Sequence, residues 1–222
     1  MDDHETRCDQ TFAARDAAWD AYGTTDPYFL SPMINPSFAG GPTWPNLRQA
    51  YRIIRGPLGT ILASDGLSDP FDDSWSDPPP QNGFALEVYA VAERDPASDV
   101  LPAWMLPVVA GFARLVAEHG AIHGLLDELG TLSTELHDVP IPEPLQPRFV
   151  NDAGRVGVLV GLTSQEFPAS FTGPVSTIRL VNLKLLTVDE LGLITADSNT
   201  GRAELVRRFQ AGPTPLLSSL TR

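Results

Sequence analysis

The stretch "YRIIRGPLGTILAS", Tyr51 to Ser64, constrains this chain more than any other. Two apolar runs of strand length flank Gly56-Pro57, a pair that interrupts any continuous helix, so the stretch is expected to form two strands joined by a turn. "GFALEVYAVAE" supplies a further strand. Phe84, Leu86, Val88 and Ala90 alternate with Glu87 and Tyr89, the period-two pattern of a strand with one buried face. Arg155 to Leu162 and Ser176 to Leu186 are the last two strand candidates.

Helical patterns lie between these strands. Thr11 to Tyr22 places Phe12, Trp19 and several alanines on a helix that stops at Gly23. Between Pro107 and Gly120, residues Val108, Val109, Phe112, Leu115, Val116 and His119 fall on one stripe, with Pro near the start and Gly at the end. A short helical turn is expected from Ile122 to Leu129. Thr187-Val188-Asp189-Glu190 reads as a capping box opening a short helix, and Ala203 to Phe209 as a last helix after a Thr200 cap. "HDVPIPEPLQPRF" is expected to be extended or irregular, because each proline biases its predecessor away from helix. Elements of the two kinds are interspersed without regular βαβ alternation. The expected class is therefore α+β, a single domain with a twisted mixed sheet flanked by helices. It would span residues 11–210, with an N-terminal arm at 1–10 and a frayed tail at 211–222.

Two long passages belong to neither pattern. Thr24 to Pro45 is rich in proline and glycine and too long for a simple connector, and its Tyr28, Phe29, Phe38 and Trp44 favour a loop packed by its own side chains. Asp69 to Asn82 is a second loop, acidic and proline-rich.

A formal net charge of −13 opposes attraction to nucleic acid or anionic membranes, both of which need a concentrated basic face. Cys8 is the only cysteine, which rules out an intrachain disulfide and suits a reducing compartment. The N-terminus is acidic and lacks the basic and apolar regions of a secretory signal. Val100 to Ala113 falls short of the roughly 20 residues that cross a bilayer. A soluble, cytoplasmic protein is expected.

The chemistry-bearing residues gather around "LASDGLSDPF". Asp65, Asp69, Asp72 and Asp73 crowd about Gly66, but the spacing departs from the calcium-loop template, and a solvated acidic turn is the preferred reading over a metal site. The "SDG" of this stretch looks like a motif of the metal-dependent serine/threonine protein phosphatases, in which Asp65 would bind a metal. That family also needs an upstream aspartate in a "DGxGG" loop, which Gly40-Gly41 does not supply, since Ala39 precedes it and Pro42 follows. His119, His123 and His137 could offer three zinc nitrogens, with Gly120 breaking the helix between the first two; packing and capping explain them as well. Cys8 has no electropositive neighbourhood to activate it. No catalytic set, metal or cofactor is expected. Trp44 and Trp75 sit in polar loops, where each either packs under the loop or anchors a partner.

In order along the chain, "LASDGLSDPF", "GFALEVYAVAE", "PAWMLPVVAGFARLVAEHG" and "IRLVNLKLLTVDELGLI" resemble segments of the bacterial branch of the suppressor-of-fused (SUFU-like) domain family. The resemblance covers about Thr11 to Phe209. It implies a mixed sheet flanked by helices and a binding rather than catalytic role, with bacterial relatives inferred to be immunity proteins that neutralise a cognate toxin. It brings no catalytic residues. Expected is a non-catalytic intracellular protein-binding domain, with a basic toxin domain as one form of partner and a phosphatase-like hydrolase using Asp65 as the alternative. The expected contact residues are Trp44, Asp65, Ser68, Asp69, Asp72, Asp73 and Trp75, on the argument that acidic loops attract a basic partner. The sequence leaves oligomeric state open.

Overall fold

In the computed structural model, which describes residues 3–72, 81–94 and 100–221, the chain opens with helix α1 (Asp3–Asp20). It starts well before Thr11. Its buried positions are Cys8, Thr11, Arg15 and Trp19, spaced three, four and four apart, so one helix face is interior although only its last member is large and apolar. A short strand, β1 (Thr24–Thr25), precedes the long loop and pairs with β2 (Ala50–Gly56). Gly56-Pro57 then turns the chain as expected. Strand β3 (Gly59–Asp65) runs antiparallel to β2 from Ala50↔Asp65 to Gly56↔Gly59.

Strand β4 (Leu86–Ala92) pairs with β3, and its two faces part as the alternation requires. Phe84, Leu86, Val88 and Ala90 join the core beneath helix α2 (Met105–His119). The opposite face is buried too, because β4 is a central strand with α1 behind it: Glu87 is fully buried and Tyr89 packs against Trp19. On α2 the stripe of Val108, Val109, Phe112 and Val116 is interior, whereas His119 lies at the exposed end, where Gly120 in left-handed backbone stops the helix.

Helix α3 (Ile122–Leu129) leads into β5 (Leu132–Leu136), which the sequence reading had not assigned. The proline-rich stretch after it contains a 3-10 turn at Glu143–Leu145 and one turn of helix α4 (Gln146–Phe149), each starting where a proline occupies the first positions and its missing N–H costs nothing. Strands β6 (Val156–Leu162), β7 (Ser170–Thr172) and β8 (Thr177–Leu185) follow. Thr187 caps α5 (Val188–Ala196) through the reciprocal box with Glu190. Helix α6 (Ser198–Gln210) is capped by Asp197, which accepts from the Thr200 amide, so Thr200 is the recipient and not the cap. The stretch expected to fray contains β9 (Leu217–Ser218), parallel to β4. Lys184, the only lysine, donates to the Pro215 and Leu217 carbonyls and holds it there.

The result is an α+β fold on one mixed sheet in the order β1-β2-β3-β4-β8-β6-β5, with β7 on β8 and β9 on β4. β4 and β8 run parallel; the remaining pairs in that order are antiparallel. Helices α2 and α3 cover one face, while α1, α5 and α6 cover the other. Among the described residues no single helix is long and apolar enough to cross a membrane; α2 and α3 together reach the length but bend by 99°.

Candidate functional site

The acidic motif is not a solvated turn. Past Ala63 and Tyr89 the paired register of β3 and β4 ends, and into this opening α1 inserts Arg15, which is fully buried. Its Nη1 donates to Asp69 Oδ1 at 2.7 Å, to Glu87 Oε1 at 3.0 Å and to Ser68 Oγ at 3.1 Å, while Nη2 meets Asp65 Oδ1 at 2.5 Å. Glu87 also accepts from the Ser64 and Ser68 hydroxyls and from the Gly66 and Ser68 amides. Asp65 Oδ2 takes Arg48 at 2.7 Å and Arg52 at 2.5 Å. Burial works against the charge on Arg15, but Glu87, Asp65 and Asp69 outweigh it and hold its pKa above the ordinary value. For Glu87 the balance goes the other way: burial raises its pKa, and Arg15 with the serine hydroxyls only partly offsets this. Gly66 sits at φ 143°, and a Cβ there would meet the Arg48 carbonyl at 2.5 Å and the Trp44 ring at 3.0 Å, so this turn admits only glycine.

This corrects the expected contact surface. Asp65, Ser68 and Asp69 are each fully buried and tied to arginine, so they present no acid to a partner. The same burial removes the phosphatase reading, because a carboxylate enclosed by three guanidinium groups has no oxygen left to bridge a metal pair. Asp72 is exposed beside Phe71; Asp73 and Trp75 lie outside the described residues. Trp44 is 2% exposed and packs edge-on against Tyr51, as a loop folded back on the sheet requires.

The cluster has a second consequence. Arg48 lies over the Phe12 and Phe29 rings, 4.9 Å from each centroid, and Arg52 lies 4.8 Å from Phe29. The cations that neutralise Asp65 therefore also hold the long loop at Phe29. Leu30 and Tyr51 exchange backbone hydrogen bonds at 3.0 and 2.8 Å, fixing the loop's first limb along β2. Asn35 caps a 3-10 turn (Pro36–Ala39), bonds the Leu47 carbonyl across the loop, and is followed by a Gly41 amide donating to Pro36 at 2.9 Å.

So fixed, the loop has two apolar sides. Away from the cavity lining, the loop exposes Tyr28 (81%), Met33 (103%), Ile34 (71%), Phe38 (76%) and Leu47 (54%), and this solvent-facing set is called its outer side. The sequence reading had Tyr28 and Phe38 packing inward, and they do not; no periodicity in an irregular loop distinguishes its outer side from its inner one. The inner side, with Leu30, Pro42 and Trp44, roofs a cavity of about 690 Å³ over β2 and α2.

The remaining sequence candidates stay apart. His119 and His137 are exposed and separate from His123, which faces Asp127 at 3.2 Å; among the described residues no three His, Cys, Asp or Glu side chains gather in a metal-holding group. Cys8 is buried on α1, where burial first, then Asp69 and Asp9, push its thiol up to about 11.

No family model matches the chain, and no curated protein matches it. Among solved structures it is similar to a chain in "the Sufu-Fu complex crystal structure", with 14% identity over 89% of this chain and 83% of that one and a TM-score of 0.49. It is also similar to Drosophila Suppressor of Fused, with 14% identity over 78% of this chain and 39% of that one and a TM-score of 0.41.

Proposed function

We propose that this protein is a non-catalytic protein-binding module that docks its partner on the outer side of the loop between Tyr28 and Leu47. One observation carries the reading: five large apolar side chains besides Phe29 stand exposed on a single loop that is pinned by arginine stacking on Phe29, a capped 3-10 turn and a backbone pair to β2. A concentration of exposed apolar side chains on one short segment is a feature of interaction sites, and aromatic anchors with few rotamers supply most of the binding energy there. A loop already held in shape loses little further entropy on docking.

The partner in this reading is another protein, and the chain itself performs no chemistry on it. A basic toxin domain as partner, with this chain as its immunity protein, draws support from the net charge of −13 and from the family resemblance of the ordered segments. It draws none from Asp65 or Asp69, which are neutralised inside the fold. Among the described residues, Asp72 is the acidic member of the expected set that remains exposed to it.

The test is site-specific photo-crosslinking in the native host, with a photoreactive amino acid in place of Met33 or Phe38 and, as control, of Glu143 in the 3-10 turn before α4. A partner band from positions 33 and 38 that is absent at 143 supports the reading. Equal bands at all three positions, or none from folded protein, would reject it.

A further inference from the structure

We infer that the cavity beneath the loop is a ligand site for a small amphiphile with an apolar body and a terminal carboxylate. Its volume of about 690 Å³ falls within the roughly 300–1,000 Å³ of small-molecule sites. The walls are mostly apolar: Leu30, Pro36, Pro42 and Leu106 among them, with Ala110 from α2.

Three of the residues that line it offer donors with no acceptor among the described residues. The bodies of Trp44 and Tyr51 are buried, at 2% and 6% exposed, and among the described residues neither the indole N–H nor the phenol hydroxyl bonds a protein acceptor. Burial alone pushes the Tyr51 hydroxyl up to about 12, so it stays protonated and available as a donor. Both residues line the same cavity, and neither donor atom is among the sealed, unpartnered polar atoms of the fold, so a ligand acceptor in the cavity can reach them. Arg114 from α2 also lines it. Arg114 commits Nε to Glu118 at 2.7 Å, and its Nη1 and Nη2 bond no described residue. Two neutral donors and a guanidinium fork beside an apolar hollow form the complement of a carboxylate on a hydrocarbon or aryl body. An apolar partner side chain would fill the hollow and leave those donors unsatisfied, so the carboxylate amphiphile is the better fit.

This inference concerns the inner side of the loop and does not depend on what docks outside. Laurate, kept below its micelle concentration, is the probe, titrated calorimetrically into the full chain. Wild type should bind it saturably at one site. Arg114→Ala should weaken binding about tenfold, and dodecanol, which lacks the charge, should bind wild type about tenfold more weakly than laurate and be indifferent to that substitution. Tyr51→Phe should weaken laurate several-fold with no loss in Tm, since the hydroxyl it removes has no partner in the fold. Ala110→Trp should fill the hollow and abolish binding. Met33→Asp with Phe38→Asp should leave laurate binding unchanged, which separates this site from the protein-docking side. No saturable binding to folded wild type, equal affinity for laurate and dodecanol, or binding indifferent to both Arg114→Ala and Tyr51→Phe would each overturn the assignment.

Discussion

Arg15→Met removes the cation at the centre of the buried cluster while keeping an apolar stem of similar reach. The three carboxylates around it differ in what remains to them. Asp65 retains Arg48 and Arg52, and Glu87 retains the two serine hydroxyls and two backbone amides. Asp69 retains nothing: its side chain bonds Arg15 and no other described residue. Stripping one partner from a buried ion pair costs about 3–5 kcal/mol, because the charge left behind is uncompensated. Against a domain stability of roughly 5–15 kcal/mol, that is about a fifth of the total or more. Urea denaturation at neutral pH should report this loss as a lowered midpoint with an unchanged slope. Adding Asp69→Asn to the same chain should recover at least ~1 kcal/mol by removing the stranded charge.

The pH dependence follows from the direction of the Glu87 shift. Burial already raises its pKa in the folded chain, and losing Arg15 raises it further. A carboxyl raised on folding penalises the fold in full above its folded pKa, and the penalty vanishes as pH falls below the unfolded value. The deficit of Arg15→Met should therefore be widest at neutral pH and narrow through the acidic range. A loss under ~1 kcal/mol, or a deficit flat across pH, would refute the claim that α1 is held by a desolvated ion cluster.

Other expectations are simpler. Phe112→Ala should cost about 3–5 kcal/mol in the same melts, since its ring is 2% exposed under the sheet; a loss below ~1 kcal/mol would mean that the α2 face is not core. Thr187→Ala should cost about 1 kcal/mol through the lost capping box, and no loss would show that α5 does not depend on it. Bonds from Arg207, then Arg208, hold the Glu204 carboxyl down at about 2 against its ordinary 4.5. Its contribution is present above the unfolded value and is lost as pH falls through that window, so Glu204→Gln should show a flatter acid limb than wild type. Identical limbs would contradict the pairing.

The legible parts of this fold were those in which local chemistry decides. Gly56-Pro57 marked the β2–β3 turn, the apolar stripe marked α2, and Thr187 with Glu190 marked the start of α5. The parts missed depend on long-range partners. The first turns of α1 were missed because its interior face includes Cys8, Thr11 and Arg15, a periodic stripe that apolar matching does not see. β9 exists because β4 and Lys184 receive it, and neither is near it in sequence. The same limit governed the site. The acids of "SDGLSDPF" stood out in the sequence, but their reading as a solvated surface turn failed because the neutralising Arg15 arrives from a helix about fifty residues upstream. Its Asp65 instead anchors Arg48 and Arg52, whose guanidinium groups position the loop that bears the exposed apolar residues.

The central claim is that this outer side is where a partner binds. Its most direct test is the affinity of the purified crosslinked partner for wild type and for the Met33→Asp, Phe38→Asp double variant, measured by calorimetry with Tm checked in parallel. Because both residues are solvent-exposed, the variant should fold with an unchanged Tm and bind about thirtyfold more weakly, the ~2 kcal/mol of an interface anchor. Unchanged affinity in the folded double variant would contradict the account and move the binding surface off this loop.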